Sequence, residues 1–374
     1  MERCDVIVIG AGIAGASAAY ELASSRRVVV LERETQPGYH TTGRSAAIYT
    51  QNYGNREIRA LTLASHPIFT SFPEGLVEQP ILTPRGALFV ARKDQLDTLE
   101  TALTEAQTFV QSIHRIDASE AISLNPAFNP DYIAAAIYEP DARDVDVHAL
   151  HGTYLKGLKQ RGGEVITNAE VTAITRNGKA WTVDTRAGEF SASIVVNAAG
   201  AWCDVIAQLA GVRPIGLIPK RRTVFTFDPP DGLDIASWPL TLDIDEQFYF
   251  KPEAGKILAS PADETPSPPC DAQPEELDVA VAVDRVQTAT TLEVRRIAHK
   301  WAGLRSFVPD KTPVVGMDDE AEGFFWLAGQ GGYGIQTSPA IGRATAALIT
   351  TGNLPDNLTA MGLREMDLSP QRLR

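Results

Sequence analysis

Cysteine is scarce in this chain, and its pattern excludes a good deal. Cys4, Cys203 and Cys270 are the only three; an odd number without a CxxC pair argues against a disulfide framework and fits a reducing cytoplasm. Basic residues are not in excess either. The 34 Lys and Arg against 47 Asp and Glu leave a formal charge of -13, which disfavours nonspecific attraction to nucleic acid or anionic lipid. No run approaches the roughly 20 uninterrupted apolar residues of a membrane helix, so no integral membrane association is expected. The apolar run that starts at Asp5 and Val6 lacks the basic region and cleavage site of a signal peptide. Internal repeats, low-complexity tracts and a GxSxG nucleophile elbow are missing as well.

What is present is enough apolar material, 44% of 374 residues, for a sizeable core and two structural domains. Asp5–Ile9 is a short β-branched run, Gly10-Ala-Gly-Ile-Ala-Gly15 a glycine-rich turn, and Ala16–Leu22 a helix. Val28–Leu31 is a second strand ending at Glu32, so residues 5–32 form one β-α-β unit of a parallel sheet. Arg33–Thr50, with Pro37-Gly38 and Gly43, reads as an extended loop. Helical patterns over Asn55–Phe72 and Gln95–Val110 flank a strand at Ala87–Ala91. A helix at His148–Arg161 leads into strand Glu164–Thr167. Strands follow at Val171–Ile174, Ala180–Asp184 and Phe190–Asn197, then a helix over about Ala201–Leu209. Alternation at Thr223–Phe227, Gln247–Lys251 and Lys256–Ser260 predicts a mostly antiparallel sheet, interrupted by the Pro/Asp/Glu-rich connection Asp263–Glu276. Strand Gly323–Ala328, the turn Gly329–Gly332 and a helix over about Ser338–Thr350 close the chain.

The glycine spacing has a chemical meaning in this context. Gly10 permits the tight turn out of the strand, Gly12 lets a pyrophosphate approach the backbone, and Gly15 lets the helix pack on the sheet. The helix N-terminus then faces phosphates with its partial positive charge. Glu32, 22 residues beyond Gly10, sits where a carboxylate accepts hydrogen bonds from adenosine ribose hydroxyls and disfavours a 2′-phosphate. NAD and FAD share this unit. The long loop after it leaves a segment to wrap a larger cofactor. The late Gly329-Gln-Gly-Gly332 turn could present backbone N–H groups to a flavin's pyrimidine edge, which gains negative charge on reduction.

Residues 5–32, Gly43-Arg-Ser-Ala-Ala47, Asn197-Ala-Ala-Gly-Ala-Trp202, Gly303-Leu-Arg-Ser306 with Asp310, and Gly329–Gly334 together resemble the D-amino-acid oxidase superfamily of FAD enzymes over nearly the whole chain. Within it, Gln36-Pro-Gly-Tyr39, Thr42–Ala47, Lys220-Arg-Arg222, Trp301–Phe307 and Gln330–Ser338 resemble the bacterial D-arginine dehydrogenases. The resemblance implies an α/β plus α+β fold, with a discontinuous Rossmann-like FAD-binding domain (1–50, 141–221 and 305–374). A substrate-binding domain on a mostly antiparallel sheet (51–140 and 222–304) is inserted in it. It implies FAD contacts from Gly10, Gly12, Ile13, Ala14, Gly15, Glu32, Arg33, Gly43, Arg44, Ser45, Ala46 and Ala47. Val171, Ala199, Gly200, Trp202, Gly303, Gly331, Gly332, Tyr333, Gly334, Ile335 and Gln336 complete that set. No cysteine lies at the C-terminal turn where some members attach flavin covalently, so the FAD is expected to be non-covalent.

Oxidation of an amino acid by flavin requires the Cα–H to face flavin N5, the carboxylate anchored and the amine neutral; positioning carries most of that work. Arginine suits the carboxylate, since its fork donates two charge-assisted hydrogen bonds in one plane. The resemblance assigns this to Arg222 and Arg305, pocket roles to Tyr53 and Tyr249, and an amine-accepting carbonyl to Gly332. An ordinary tyrosine pKa of about 10 makes neither tyrosine a general base. In the side-chain pocket of Ile48, Thr50 and Ala87, the family's guanidinium-binding acid is replaced by Ala87 and a histidine by Ile48. A cationic side chain would lose its buried counter-charge there. The expected reaction is hydride transfer from Cα of a D-amino acid to flavin N5, giving an imino acid that hydrolyses to a 2-oxo acid and ammonia. Neutral or apolar D-amino acids are favoured over D-arginine, and a quinone or oxygen re-oxidises the flavin. Oxidation of N-substituted glycines, N-methyl amino acids or 2-hydroxy acids, and flavin binding without turnover, are the alternatives. His148 and His151, at i, i+3 on one helix, read as surface histidines without a metal.

Overall fold

A computed structural model describes residues 2–374. In chain order, the elements that position the site are β1 (Val6–Ile9), α1 (Ile13–Leu22), β2 (Val28–Leu31), α2 (Arg56–Phe69), β3 (Ala87–Ala91) and β4 (Ala135–Glu139). They continue with α3 (Val147–Gln160), β5 (Glu164–Ile166), β6 (Ile194–Asn197), β7 (Ile218–Phe227), β8 (Leu240–Asp243), β9 (Tyr249–Glu253) and β10 (Lys256–Ser260). The last are β11 (Ile297–Phe307), β12 (Val314–Met317), β13 (Phe324–Ala328) and α4 (Gly334–Thr351).

Short, wholly apolar strands such as VIVI and VVVL are stable when both faces are covered, and they build a six-stranded sheet in the order β5-β2-β1-β6-β13-β12. All pairings in it are parallel except β12 with β13. The chain passes from β1 through α1 to β2 on one side, while β6 lies on the other, which opens a crevice at the strands' C-terminal ends. Helix α1 lies between the sheet and α4, and small residues set that spacing: a Cβ on Gly342 would stand 2.9 Å from the Ser17 carbonyl oxygen.

The second sheet has nine strands. Thr265–Pro266, β7, β10, β9, β8, β3, β4 and His114–Asp117 follow one another, and β11 pairs with β7. Its pairs are antiparallel except β8 with β3, in line with the alternation in the sequence. Strands β7 and β11 form a long ribbon whose register sets Lys220 opposite Arg305 and Arg222 opposite Gly303.

Several boundaries differ from the sequence reading. Phe190–Asn197 is two strands, broken at Ser193: Gly188–Ala192 joins a separate four-stranded sheet, and β6 joins the parallel one. Helix α4 starts at Gly334 and runs through Pro339. Proline cannot donate to the carbonyl four residues back, and the Ser338 hydroxyl donates to that Ile335 oxygen instead, at 3.0 Å. Residues Glu276–Ala289 form a helix that the reading did not separate. No helix among the described residues is long and apolar enough to cross a membrane.

Candidate active site

Two cavities meet at the N-terminal end of α1. One is lined by Gly10, Glu32, Arg33, Val171, Ala199 and Trp202, the other by Ile13, Ala14, Arg44, Ser45, Ala46 and Ala47 together with both candidate arginines. Gly12, Thr41, Thr42, Ala198 and Gly200 border both. An elongated dinucleotide therefore fits along them, with its phosphates at the first turn of α1, where backbone N–H groups lack intrahelical partners.

The glycine turn is built without room for side chains. Gly10 has φ +100° and its Cβ would lie 2.6 Å from the Ala198 carbonyl oxygen; that of Gly15 would lie 1.9 Å from the Gly10 oxygen. Helix α1 has no cap of its own at Gly12. The Thr42 hydroxyl supplies one by accepting the Ile13 N–H at 2.9 Å. The two oxygens of the Glu32 carboxylate accept the N–H groups of Ala11 (2.8 Å) and Glu34 (2.9 Å), which orients it and leaves a lone pair on each for a ribose hydroxyl. The Trp202 indole packs against the Arg33 guanidinium, 4.5 Å from its centroid, and the His40 ring at 4.8 Å. Shape and donor set fit FAD.

His151 corrects the surface reading. It is buried under the glycine turn, with Nε2 2.8 Å from the Ala11 carbonyl oxygen; a carbonyl only accepts, so Nε2 carries the proton. Burial pushes its pKa below the ordinary histidine range, against the opposing pull of that hydrogen bond. A depressed pKa means that the unfolded chain takes up a proton first as pH falls, so this contribution to stability is complete above about 6.5 and is lost below it. Replacing His151 with Gln keeps a donor and removes the titration. The difference in Tm between the two proteins is expected to be constant above pH 7 and to move in favour of the variant toward pH 5.5. A pH-independent difference would sink this assignment.

The other cavity holds the candidate chemistry. On one face of the β7–β11 ribbon lie Arg222, Arg305 and Lys220. Both arginines are buried, and Arg222 Nη2 and Arg305 Nη1 have no hydrogen-bond partner. Arg222 Nε donates to the Asp263 carbonyl at 2.9 Å, and Arg305 Nη2 donates to the Tyr53 hydroxyl at 2.5 Å. Glu264 Oε1 stands 3.7 Å from Arg222 Nη2 and 3.6 Å from Arg305 Nη1, while Oε2 accepts from Lys220 at 2.8 Å. Burial works against the Glu264 charge, but the Lys220 hydrogen bond and the Arg305 field outweigh it and hold the carboxyl below its usual range.

Gly332 is a glycine for a plain steric reason: a Cβ there would sit 1.8 Å from Arg305 Nη2. Gly331 (φ +52°) donates its N–H to Ser306, which ties the loop to β11. Tyr249 lines the same cavity, 5.8 Å beneath the Arg222 guanidinium. Tyr53 is held from behind. Glu139, fully buried on β4, accepts the Thr50 hydroxyl and the Gln51 N–H, both at 2.7 Å, and so fixes the segment that leads to Tyr53.

Ile48, Thr50, Gly303, Gly334, Ile335 and Gln336 also border the cavity, as do Phe89, Val224, Leu240 and Leu242. The Gln336 amide is already engaged by the Thr50 N–H and the Thr62 hydroxyl. Ala87 is buried off the cavity, and Phe89, two residues along the same strand, forms the wall instead. Tyr333 likewise lies off it, packed between Tyr53 and Phe307. Gly15 and Gly43 pack turns rather than line either cavity, Gly43 against the Gly38 carbonyl. The Arg44 guanidinium binds the Ala272 and Ala302 carbonyls and Asp271, fastening its loop to β11. Thr42, Glu139, His151 and Glu264 were not identified from sequence. Glu139 alone carried a local signal, as an acid ending the apolar run Ala-Ala-Ile-Tyr.

A model of the family described as DAO, FAD dependent oxidoreductase, matches residues 5–348. Among curated relatives, the FAD-dependent oxidoreductase domain-containing protein 1 of Xenopus laevis is 27% identical, over 97% of this chain and 82% of that protein. The glycine oxidase of Geobacillus kaustophilus (strain HTA426) is 24% identical, over 93% of each. The solved structure of L-proline dehydrogenase from P. horikoshii superposes with a TM-score of 0.85 at 22% identity, covering 99% of this chain and 98% of that one. These relatives do not single out D-arginine dehydrogenase. With the family model spanning most of its length, this chain belongs to the DAO family of FAD-dependent oxidoreductases.

Proposed function

We propose that the protein oxidises small amino acids bound by their carboxylate between Arg222 and Arg305, favouring neutral or apolar D-amino acids over D-arginine. One observation carries this reading: two buried arginines, Arg222 and Arg305, border one cavity together with the apolar Ile48, Phe89, Leu240 and Leu242. A buried guanidinium offers a carboxylate charge-assisted hydrogen bonds where little water competes. When bound, FAD supplies a two-electron acceptor for the substrate Cα–H. The chain's own part is to hold the carboxylate with the arginines, to steady Arg305 through Tyr53, and to offer the Gly332 carbonyl to the amine. Ile48, Phe89, Leu240 and Leu242 exclude water and receive an apolar side chain. The imino acid product hydrolyses in water to a 2-oxo acid and ammonia. The sequence resemblance supports the D hand and a quinone or oxygen as acceptor. It also supports division into an FAD domain (1–50, 141–221, 305–374) and a substrate domain (51–140, 222–304). The three unpaired cysteines suit a cytoplasmic setting.

A second reading is oxidation of N-substituted glycines or N-methyl amino acids, supported by the relatives named for glycine and proline. The same carboxylate anchor serves both. Anaerobic titration of the yellow holoprotein with D- and L-amino acids, sarcosine and 2-hydroxy acids decides between them by which class bleaches the flavin. Among D-amino acids, D-leucine, D-methionine or D-phenylalanine is expected to exceed D-arginine in kcat/KM by about tenfold, about 1.4 kcal/mol, because Ile48, Phe89, Leu240 and Leu242 offer a guanidinium no acceptor and Glu246 at the border is, among the described residues, the one acid lining the cavity. A tenfold preference for D-arginine would overturn the side-chain assignment, and a flavin that no compound bleaches would favour binding without turnover.

A further inference from the structure

Glu264 places a negative charge beside the very groups that would bind the substrate carboxylate. Thr265–Pro266 pairs with β7 at Arg221 and Lys220, which brings the preceding Glu264 alongside Arg222. Its Oε1 contacts, at 3.6 and 3.7 Å, are ion-pair distances, too long for hydrogen bonds. Lys220 anchors the other oxygen at 2.8 Å. The carboxylate is thus held one step back from the arginines, near enough for its charge to be felt but without a hydrogen bond to either, and the two nitrogens it faces are buried.

We propose that Glu264 is a specificity-determining residue that takes the place of a second substrate carboxylate and so restricts the site to monocarboxylates. This rests on the reading above that Arg222 and Arg305 bind a carboxylate. Arg222, Arg305 and Lys220 surround Glu264 with positive charge, to which Lys311 adds, and Glu264, with the Asp263 carboxylate near Arg222, already offsets part of it. A substrate carboxylate adds one negative charge. A second negative charge brought to the arginines is repelled by Glu264, whose side chain is 29% exposed, so that the repulsion is partly screened but not abolished. Turning the second group away gives no relief, because Phe89, Leu240 and Leu242 offer it no donor and Glu246 also borders the cavity.

The test uses FAD-loaded protein and two unreactive acids of equal carbon count, propionate and malonate, titrated while the visible spectrum of the bound flavin reports occupancy. The unaltered protein is expected to bind propionate more tightly than malonate. Glu264→Gln keeps the size and removes the charge, and it should shift the ratio of the two Kd values toward malonate by about tenfold, the scale of one charge-assisted interaction. Glu264→Ala should move it in the same direction. A ratio unchanged within about twofold in both yellow variants would overturn the proposal; so would tighter binding of malonate than propionate by the unaltered protein, which needs no variant at all. Arg305→Met separates the two levels. If it binds propionate as well as the unaltered protein, the carboxylate anchor itself is wrong. If it loses propionate while the Glu264 variants leave the ratio unmoved, only the role of Glu264 fails.

Discussion

Arg305→Met is expected to lower kcat/KM by about two orders of magnitude, roughly 3 kcal/mol of transition-state binding, in a protein that still carries FAD. The size of the effect follows from burial. Arg305 is buried, donates to Tyr53 and borders the cavity, so a carboxylate arriving there gains a charge-assisted contact in a place with little water to compete. Methionine fills much of the volume and offers no donor. Arg305→Lys should fall between the two, because it keeps the charge and loses the planar fork. The measurements are kcat/KM on the substrate that bleaches the flavin fastest, with flavin content as the control. A loss below about fivefold with full flavin occupancy would remove Arg305 from the anchor.

Gly15→Ala should act on the cofactor instead. The added methyl would start 1.9 Å from the Gly10 carbonyl oxygen, well inside contact distance, and the obstruction is backbone on a turn buried between strand and helix. Overpacking of this kind costs about 1–3 kcal/mol and sometimes more. Here it displaces the peptide groups that face the pyrophosphate, so FAD affinity is expected to fall at least about tenfold. Fluorescence titration of apoprotein with FAD reads this directly. An unchanged Kd would show that the turn yields without disturbing the site.

The parts of this site that were legible in the sequence are local ones. The glycine spacing, the strand-ending Glu32 and the start of the helical pattern at Asn55 act within a few residues or one β-α-β unit, and the structure shows the Asn55 side chain capping α2 by accepting the Ile58 N–H. Strands β3 and β10 have the predicted limits because their apolar runs are bounded by turns. Strand β11 escaped because its first half faces solvent and its second half the core, so no period of two runs through it; pairing with β7 creates it. The start of α4 was missed because Pro339 resembles a stop, and the compensating Ser338 hydroxyl becomes apparent once the helix is built. His151 and Glu264 acquire their meaning from partners 140 and more than 40 residues away in sequence. Ala87 shows a different limit, since it does not border the cavity itself but lies beside Leu240 and in one cluster with Phe89, which do.

The arginine ribbon and most of the apolar wall belong to one sheet, yet β7 is separated from β8 and β3 by β10 and β9. Recognition of what all the candidate substrates share is thereby placed on other strands than recognition of what distinguishes them. Residues 89, 240 and 242 lie on strands that pair with neither guanidinium's strand, and Tyr249, paired with Leu242 and lying under Arg222, is the link between wall and anchor. A new diet for the enzyme is then a matter of redecorating one wall, and a descendant or a designer can explore it while the chemistry continues to run.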